Sequence, residues 1–331
     1  MKFDGTLLLN RSEVATLLSL PECIEAVDEV FRLQGQGKIP AAGILGVKAS
    51  GGGLHVKAGV LPEEKSYIVA KLNTNFPDNP IRLGRPTIQG LIVVCDGDDG
   101  SPLAVMDSID ITIKRTAAAS AVAAKYLART NSSVLTLVGC GQQARAQLEA
   151  LQAVVPVKTV YVFDTNEVAA ENFASKMRSE LLVQIEPVRD LSTALGKSDL
   201  CVTCTTSREF FVKQKDVPAG MFIAAVGADD ANKQEIDPAL MASSKIVADS
   251  LEQCCMIGDT HHAIVAGLMG RDDVYAELSE VVSGKKAPRT SEEEVIIFDS
   301  TGVASEDAAT AVLVLKKARA RQVGRYFTFA P

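Results

Sequence analysis

The sequence contains no tryptophan and only three histidines, and aromatic residues make up 5% of its 331 positions. It has no uninterrupted apolar run of about 18 residues, so no membrane-spanning helix is predicted. The net charge of −7 argues against the basic face that nucleic acid or an anionic membrane would require. No secretory signal pattern is visible at the N-terminus. We therefore expect a cytoplasmic protein with no nucleic-acid or membrane partner.

The seven cysteines are an odd number and are scattered through apolar segments, which indicates reduced thiols rather than a disulfide framework. Cys201 and Cys204 have the spacing of a redox pair, but they lie in a predicted strand, so a buried strand end is favoured. A group of cysteine, aspartate and histidine residues further along the chain matches no structural-zinc spacing, and its adjacent histidines would diverge by about 100° on a helix. No metal site is predicted from that cluster, which comprises Cys254, Cys255, Asp259, His261 and His262.

A dinucleotide-binding pattern lies near the middle of the chain. The apolar, β-type run Val134–Val138 is followed by Gly139-x-Gly141-x-x-Ala144 and then by helical periodicity. This is the order of strand, glycine turn and helix that a dinucleotide site requires. Gly139 permits the tight turn, Gly141 lets the backbone approach a pyrophosphate, and Ala144 lets the helix pack close to the strand. A glycine pattern alone is weakly specific, so its neighbourhood must agree.

The position of Asp164 supports a dinucleotide-binding site. It closes the next predicted strand, 23 residues after Gly141, where an acidic residue accepts hydrogen bonds from the adenosine ribose. The three following residues include no arginine for a 2′-phosphate, so NAD is favoured over NADP as the cofactor. The alternative is that Asp164 only caps the following helix.

The rest of the chain predicts two domains. Residues 39–103 consist of strand-like runs between turn residues, including a hairpin around Asp96–Gly100. An alanine-rich helix follows, and from Val134 onward strands and helices alternate, as in a doubly wound parallel sheet. The predicted fold class is therefore α/β: a Rossmann-type domain (118–305) with a second, β-rich α+β domain (1–117 together with 306–331).

Five spaced blocks carry a resemblance that covers nearly the whole chain. They are Ala70–Asn79, Met106–Ala118, Gly139–Gln142, Ala225–Asp229 and Phe298–Asp307. In these blocks the sequence resembles the ornithine cyclodeaminase/μ-crystallin family, which also contains alanine dehydrogenases and ketimine reductases. The resemblance implies an NAD(P)-linked enzyme that acts at the Cα–N bond of a small amino or imino acid. It also implies a homodimer built through the β-rich domain and a substrate cleft between the two domains.

Three charged residues are candidates for the chemistry. Lys71 interrupts an apolar predicted strand, and Arg115 begins the alanine-rich helix, where the helix dipole favours no cation. Either could hold a substrate α-carboxylate, and Lys71 is also a candidate catalytic residue; the alternative is salt bridges to acidic residues. Asp229 follows a strand and Gly227-Ala228, which suits a general acid or base. Periodicity does not separate Asp229 from Asp230, but the family pattern favours Asp229; the alternative is a helix N-cap.

His55 and Lys57 share one face of a predicted strand, because side chains repeat every two residues. Relatives often have Met-Pro here and an arginine upstream that helps to hold the carboxylate, whereas this sequence has Pro40–Gly43 at that place. We expect Lys57 to replace the missing cation and His55 to be a second polar contact to the substrate. The alternative is a half-exposed strand with two polar residues.

The predicted function is an NAD-dependent amino acid enzyme, foremost an ornithine cyclodeaminase that converts L-ornithine to L-proline and ammonia. The alternatives are an alanine dehydrogenase-like enzyme, a ketimine (pyrroline or piperideine carboxylate) reductase and, in another class, a μ-crystallin-like binding protein. Arg145 is expected near the cofactor phosphates. The predicted cofactor contacts are Gly139, Gly141, Gln142, Gln143, Ala144, Asp164, Thr165, Thr205, Val226, Arg115, Thr116, Asp299, Ser300 and Gly302.

Overall fold

Residues 5–329 are described by the computed structural model, and they form two units. Unit 1 comprises the described residues up to Arg115 together with those from Val303 onward, and unit 2 is Thr116–Gly302. No helix within residues 5–329 is long and apolar enough to cross a membrane. The assignment of NAD to unit 2 and of the substrate to unit 1 stays a prediction.

Short strands and helices follow one another along the whole chain. The first part forms β1 (Thr6–Leu9), α1 (Arg11–Leu17), α2 (Leu20–Gly35), β2 (Gly43–Ala49), β3 (Gly52–Leu61), β4 (Tyr67–Asn75), α3 (Asn79–Leu83), β5 (Ile88–Asp96), β6 (Pro102–Asp107) and α4 (Ile109–Leu127). Unit 2 continues with β7 (Val134–Val138), α5 (Gln142–Gln152), β8 (Thr159–Phe163), α6 (Glu167–Glu180), β9 (Gln184–Pro187), α7 (Leu191–Leu195), β10 (Leu200–Thr203), β11 (Phe222–Ala225), α8 (Pro238–Ser243), β12 (Lys245–Ala248), α9 (Leu251–Ile257), α10 (Asp259–Val265), β13 (Ala276–Glu277), α11 (Leu278–Val282) and β14 (Ile296–Asp299). Unit 1 is completed by α12 (Ala304–Arg321) and β15 (Arg325–Phe327).

Unit 1 is built on a seven-stranded sheet in the order β15-β1-β6-β5-β4-β3-β2. Strands β2 to β6 pair antiparallel in chain order, whereas β6 and β1 pair parallel. The predicted hairpin is the β5–β6 pair. Helix α12 packs against β3 and β4 on one face of this sheet. The opposite face leaves apolar side chains exposed on β2, β4 and β5, namely Leu45, Val47, Ile68 and Leu91.

Unit 2 is built on an eight-stranded sheet in the order β13-β12-β14-β11-β10-β7-β8-β9, in which every pair is parallel. Its central strands are buried on both faces, as a sheet covered by helices requires. All carboxyl ends of these strands therefore lie at one edge, where ligands of open α/β sheets bind. This architecture confirms the predicted fold class.

The alanine-rich stretch of α4 is closely packed. Its alanines are at most 2% exposed, although a surface helix would leave one face in water; they are Ala117, Ala118, Ala119, Ala121, Ala123 and Ala124. Side chains this small let neighbouring backbones approach from several directions. The short helices α3 and α8 and the two-residue strand β13 were not predicted, and α9 to α11 were not distinguished as separate helices, because such short runs carry little periodicity.

Candidate functional site

Two buried cations of unit 1 meet two buried carboxylates. Lys71 lies in β4 and Arg115 in α4, and each is about 5% exposed or less. Lys71 Nζ lies 2.7–2.8 Å from both carboxylate oxygens of Asp307, in the first turn of α12. Arg115 donates through Nη1 to Glu306 (2.8 Å), and its Nε lies 3.0 Å from Asp307. The salt bridges that the sequence left open as an alternative are therefore present.

Lys57 lies close to these salt bridges. It is in β3, directly opposite Lys71 in the β3–β4 register, and its charge acts on both Lys71 and Asp307. Three basic side chains thus lie near two carboxylates, Glu306 and Asp307. We call these five side chains the cation cluster. Basic side chains in such a setting suit an anion such as a carboxylate.

Burial lowers the pKa of Lys71 from its ordinary value to about 7; the neighbouring Arg115 acts in the same direction, and Asp307 acts against it. Burial acts to raise the pKa of Asp307, but Lys71 and Arg115 outweigh it and hold that pKa below its ordinary value. Asp307 is therefore ionised at neutral pH, whereas Lys71 is close to half-protonated. An arriving carboxylate would favour the protonated lysine.

His55 lies two residues before Lys57 on the same face of β3, as predicted, and is exposed. Its opposite residue in β4 is Asn73, which shares a face with Lys71. The side-chain amide of Asn73 accepts a hydrogen bond from Ser108 (2.6 Å). The structure therefore brings His55, Lys57 and Lys71 onto one face of two adjacent strands, and the substrate contact of His55 stays a prediction.

In unit 2 the glycine turn has the geometry that its sequence predicted. Gly139 has a φ of +94°, and a Cβ on it would lie 3.0 Å from the carbonyl oxygen of Cys204. Gly141 is the N-cap of α5 and provides no side-chain cap, so the first N–H groups of the helix are available to an anion. A Cβ on Gly141 would meet no atom within 4 Å. Ala144 is fully buried, as close packing of α5 requires.

Asp164 ties the glycine turn to the end of β8. Its carboxylate accepts hydrogen bonds from the backbone N–H of Cys140 (2.8 Å) and of Asn166 (2.9 Å). The N-cap of α6 is Asn166, so the alternative that Asp164 caps this helix is wrong. Each carboxylate oxygen can accept further bonds, so a ribose hydroxyl still has a partner here.

Asp229 and Asp230 have different roles in the loop after β11. Asp230 accepts hydrogen bonds from the backbone and side chain of Asn232, which shapes a turn. Asp229 keeps 48% of its side chain exposed and forms an ion pair with Lys233. The next helix begins only at Pro238, with Asp237 as its N-cap, so the alternative of a helix cap at Asp229 is wrong. Asp229 is the carboxylate of this pair that a substrate nitrogen could reach.

The residues at the end of β14 that were predicted to contact the cofactor are buried. The carboxylate of Asp299 is fully buried and accepts from the backbone N–H and the hydroxyl of Thr260. Ser300 and Gly302 both donate to buried Asp249. The side chains of Asp299 and Ser300 thus have buried partners within unit 2, and a contact of these residues with the cofactor stays a prediction.

Other predicted cofactor residues lie in these loops or in nearby helices. Arg145 forms ion pairs with Glu149 and Glu180 and is 48% exposed, and its expected place near the cofactor phosphates stays a prediction. The hydroxyl and N–H of Thr205 both donate to buried Glu235. The remaining residues occupy the first turn of α5, the ends of β8 and β11, and α4: Gln142, Gln143, Thr165, Val226 and Thr116.

Several buried carboxylates were not recognised from the sequence as organising these sites: Glu306 and Asp307 in unit 1, and Glu235, Asp249 and Asp259 in unit 2. Glu306 and Asp307 begin a long helix, where acidic residues are common at exposed positions. One indication of their burial is present in the sequence. The mostly small or apolar residues Ala308–Val314 follow them directly and predict a buried helix start.

Comparison with known proteins identifies the family of this chain. The model of the ornithine cyclodeaminase/mu-crystallin family matches residues 5–322. The chain belongs to this family. The alanine dehydrogenase of Archaeoglobus fulgidus is 39% identical over 325 residues, which cover 98% of each chain. Two solved structures are similar in fold. An archaeal alanine dehydrogenase dimer with bound NAD has a TM-score of 0.93 at 39% identity, covering 98% of this chain and 100% of that one. The Δ1-pyrroline-2-carboxylate reductase of Thermococcus litoralis, in complex with NADH and L-proline, has a TM-score of 0.92 at 35% identity, covering 97% and 100%.

These comparisons confirm the family, the fold class and the expectation of an NAD-linked enzyme. They agree with an enzyme that acts on an amino acid or an imine. Which individual residues bind cofactor and substrate in this chain stays a prediction.

The glycine turn provides a matched pair of variants. We expect Gly141→Ala to leave stability within about 0.5 kcal/mol, because its Cβ enters open space at an ordinary φ. It should nevertheless weaken NADH binding about tenfold or more, because that space is where the backbone must approach the pyrophosphate. Gly139→Ala should instead lower the free energy of unfolding by about 1–2 kcal/mol, because φ is positive. Thermal unfolding and NADH fluorescence titration measure both effects, and equal NADH affinity of Gly141→Ala and wild type would contradict the cofactor site.

Proposed function

We propose that this protein is an NAD-linked oxidoreductase that interconverts an α-amino acid and the corresponding imine or 2-oxo acid. The observation that carries the proposal is the cation cluster, in which Lys57, Lys71 and Arg115 face two buried carboxylates. Fixed cations in a buried setting suit an α-carboxylate, the group that amino and imino acids share. The relatives support the same substrate class, since they are an alanine dehydrogenase and a pyrroline-carboxylate reductase.

The chain's own residues have distinct roles in this proposal. Arg115 and Lys71 bind the α-carboxylate and orient the substrate, and Asp307 and Glu306 hold both cations in place. Asp229, with its half-exposed carboxylate, takes or returns the proton at the substrate nitrogen. The glycine turn and Asp164 would bind NAD through its pyrophosphate and ribose. NAD, when bound, supplies the hydride acceptor, so the protein mainly provides orientation and charge.

The charge of the cation cluster favours a substrate with a neutral or acidic side chain. L-Ornithine carries a second ammonium group, and the carboxylates of the cluster, Asp307 and Glu306, are already paired with Lys71 and Arg115. Lys57 would repel that ammonium further. We therefore favour amino acid dehydrogenation or imine reduction over the ornithine cyclodeamination predicted first, which remains the second candidate because of the family.

We further propose a homodimer formed through the exposed face of the unit 1 sheet. Leu45, Val47, Ile68 and Leu91 share this face, and each is 42% exposed or more. A contiguous apolar sheet face of this kind marks an interaction surface. The archaeal alanine dehydrogenase relative, of which this chain covers the whole length, is described as a dimer.

A substrate panel tests the function directly. Purified protein is incubated with NAD and L-alanine, L-proline or L-ornithine, and with NADH and Δ1-pyrroline-2-carboxylate or pyruvate plus ammonia. We expect a change in NADH absorbance with a neutral amino acid or its imine. Proline and ammonia formed from L-ornithine without net NADH would instead support cyclodeamination. No turnover with any of these compounds would contradict the proposal and favour a binding protein.

Lys57 is expected to contribute both affinity and charge selectivity. Replacing it in Lys57→Met removes the charge but keeps most of the length, so KM for the neutral substrate should rise about tenfold, within the range of one charge-assisted hydrogen bond. The ratio of kcat/KM for L-ornithine to that for the neutral substrate should increase. Lys158→Met, at an exposed position of unit 2, is the control for net charge. An unchanged KM in Lys57→Met would show that Lys57 does not bind substrate.

The lowered pKa of Lys71 predicts a pH dependence. The protonated lysine binds the carboxylate, so kcat/KM, which reports the free enzyme, should fall as pH rises above about 7. In Lys71→Arg the guanidinium stays charged across this range, and this descending limb should disappear. The measurement is kcat/KM between about pH 6 and pH 9 in the reductive direction. The same limb in wild type and Lys71→Arg would assign it to another group.

A further inference from the structure

Glu235 is a buried carboxylate in unit 2 that accepts four hydrogen bonds. Its Oε1 accepts from the N–H and the hydroxyl of Thr205, both at 2.7 Å. Its Oε2 accepts from the hydroxyl of Thr203 (2.6 Å) and the N–H of Gly227 (2.8 Å). The side chain is completely inaccessible to solvent. Each oxygen therefore holds one backbone N–H group and one threonine hydroxyl.

These partners come from two adjacent strands of the parallel sheet. Thr203 ends β10 and Thr205 follows it, whereas Gly227 follows β11, and β10 and β11 are paired. Glu235 itself stands at the far end of the loop that Gly227 begins. Its bond to Gly227 thus closes residues 227–235 into a ring, and this ring carries Asp229.

We propose that Glu235 is a positioning residue that fixes the loops after β10 and β11, and thereby places Asp229 for proton transfer and Thr205 beside the nucleotide. This inference rests on the proposed function for the identity of the nucleotide and of the proton-transfer group. Glu235 would then determine the geometry of Asp229 and Thr205 without touching substrate or cofactor.

Glu235 is rigidly held from its other side. Asp259 accepts hydrogen bonds from the backbone N–H groups of Glu235 (2.8 Å) and Ile236 (2.9 Å). Asp299, at the end of β14, accepts in turn from the N–H of Asp259 and from Thr260. A chain of carboxylates therefore leads from β14 through Asp259 to Glu235 and the loops it binds. Such a chain leaves Glu235 little freedom to follow its partners if they move.

Each carboxylate oxygen of Glu235 must act as an acceptor, because each binds a backbone N–H group. Burial raises the pKa of Glu235, and the donated hydrogen bonds oppose this by stabilising the charge. Glutamine cannot replace it, because an amide has one acceptor oxygen and its NH2 group can only donate. In Glu235→Gln the NH2 must face the backbone N–H of either Thr205 or Gly227, and that loop is released.

Unit 2 contains a matched control at the amino ends of its strands. Asp199, just before β10, accepts from the N–H groups of Ser133 (2.8 Å) and Val134 (3.0 Å) and from Arg129. It binds two backbone N–H groups, as Glu235 does, but at the opposite edge of the sheet from the loops of interest. Asp199→Asn therefore removes a carboxylate and its ion pair with Arg129 without disturbing the carboxyl edge, and its amide oxygen can still accept from both N–H groups.

The test compares full-length wild type, Glu235→Gln and Asp199→Asn. Without nucleotide, amide hydrogen exchange at Thr205 and across residues 227–233 should be at least about tenfold faster in Glu235→Gln and unchanged in Asp199→Asn. The dissociation constant for NADH should rise about tenfold in Glu235→Gln and less than about twofold in the control. With saturating NAD, kcat should also fall in Glu235→Gln, since Asp229 is displaced.

A purely structural role of Glu235 would give a different result. Both variants would then lose thermal stability to a similar extent, while loop exchange and NADH affinity in Glu235→Gln would match those of the control; that outcome would overturn the inference. If Glu235→Gln does not fold, Thr203→Val removes one donor and should shift exchange and NADH affinity in the same direction by a smaller factor. Since exchange needs no nucleotide, absence of NADH binding by the wild type would count against the proposed function alone.

Discussion

The buried ion pairs of unit 1 are the constraint on which its architecture depends. Taking Lys71 and Arg115 out of water costs several kcal/mol for each charge, and close, well-directed carboxylates must offset that cost. Asp307 and Glu306 are adjacent residues in the first turn of α12, so this helix must pack on β3 and β4 with its N-terminal end at the cations. The C-terminal helix therefore belongs to the same unit as strands more than 200 residues earlier in the chain.

Unit 2 also contains buried carboxylates that need hydrogen-bond partners, but its partners are of a different kind. Its buried carboxylates Glu235 and Asp259 accept hydrogen bonds from backbone N–H groups and hydroxyls at the carboxyl edge of the sheet, whereas those of unit 1 bind lysine and arginine. This difference suits the tasks that we propose for the two units. Basic side chains suit the binding of an anion, whereas loops that must keep one shape need their N–H groups held.

The sequence predicted those features that rest on local patterns. The glycine turn, Asp164 and the alternation of strands and helices all depend on residues close in the chain, and the structure has them at nearly the predicted bounds. Lys71 was recognised because a charge in an apolar strand is conspicuous, and Arg115 because it begins the alanine-rich helix, where the helix dipole favours no cation. Their partners were not, because Asp307 lies 236 residues beyond Lys71 and no periodicity links them. Glu235 was missed for the same reason: its partners belong to a neighbouring strand and to a loop that only the folded sheet brings together.

The cation cluster also explains why family membership does not by itself decide the reaction. Lys71, Arg115 and Asp229 would serve any substrate with an α-carboxylate and a nitrogen on Cα. Under the proposed function, discrimination must come from what surrounds the substrate, and here Lys57, opposite Lys71, adds a basic side chain beside the residues proposed to bind the carboxylate. A second ammonium group near Lys57 would be repelled, whereas a neutral or acidic side chain would not. We therefore propose that Lys57 contributes to substrate choice, whereas Lys71, Arg115 and Asp229 set the kind of chemistry.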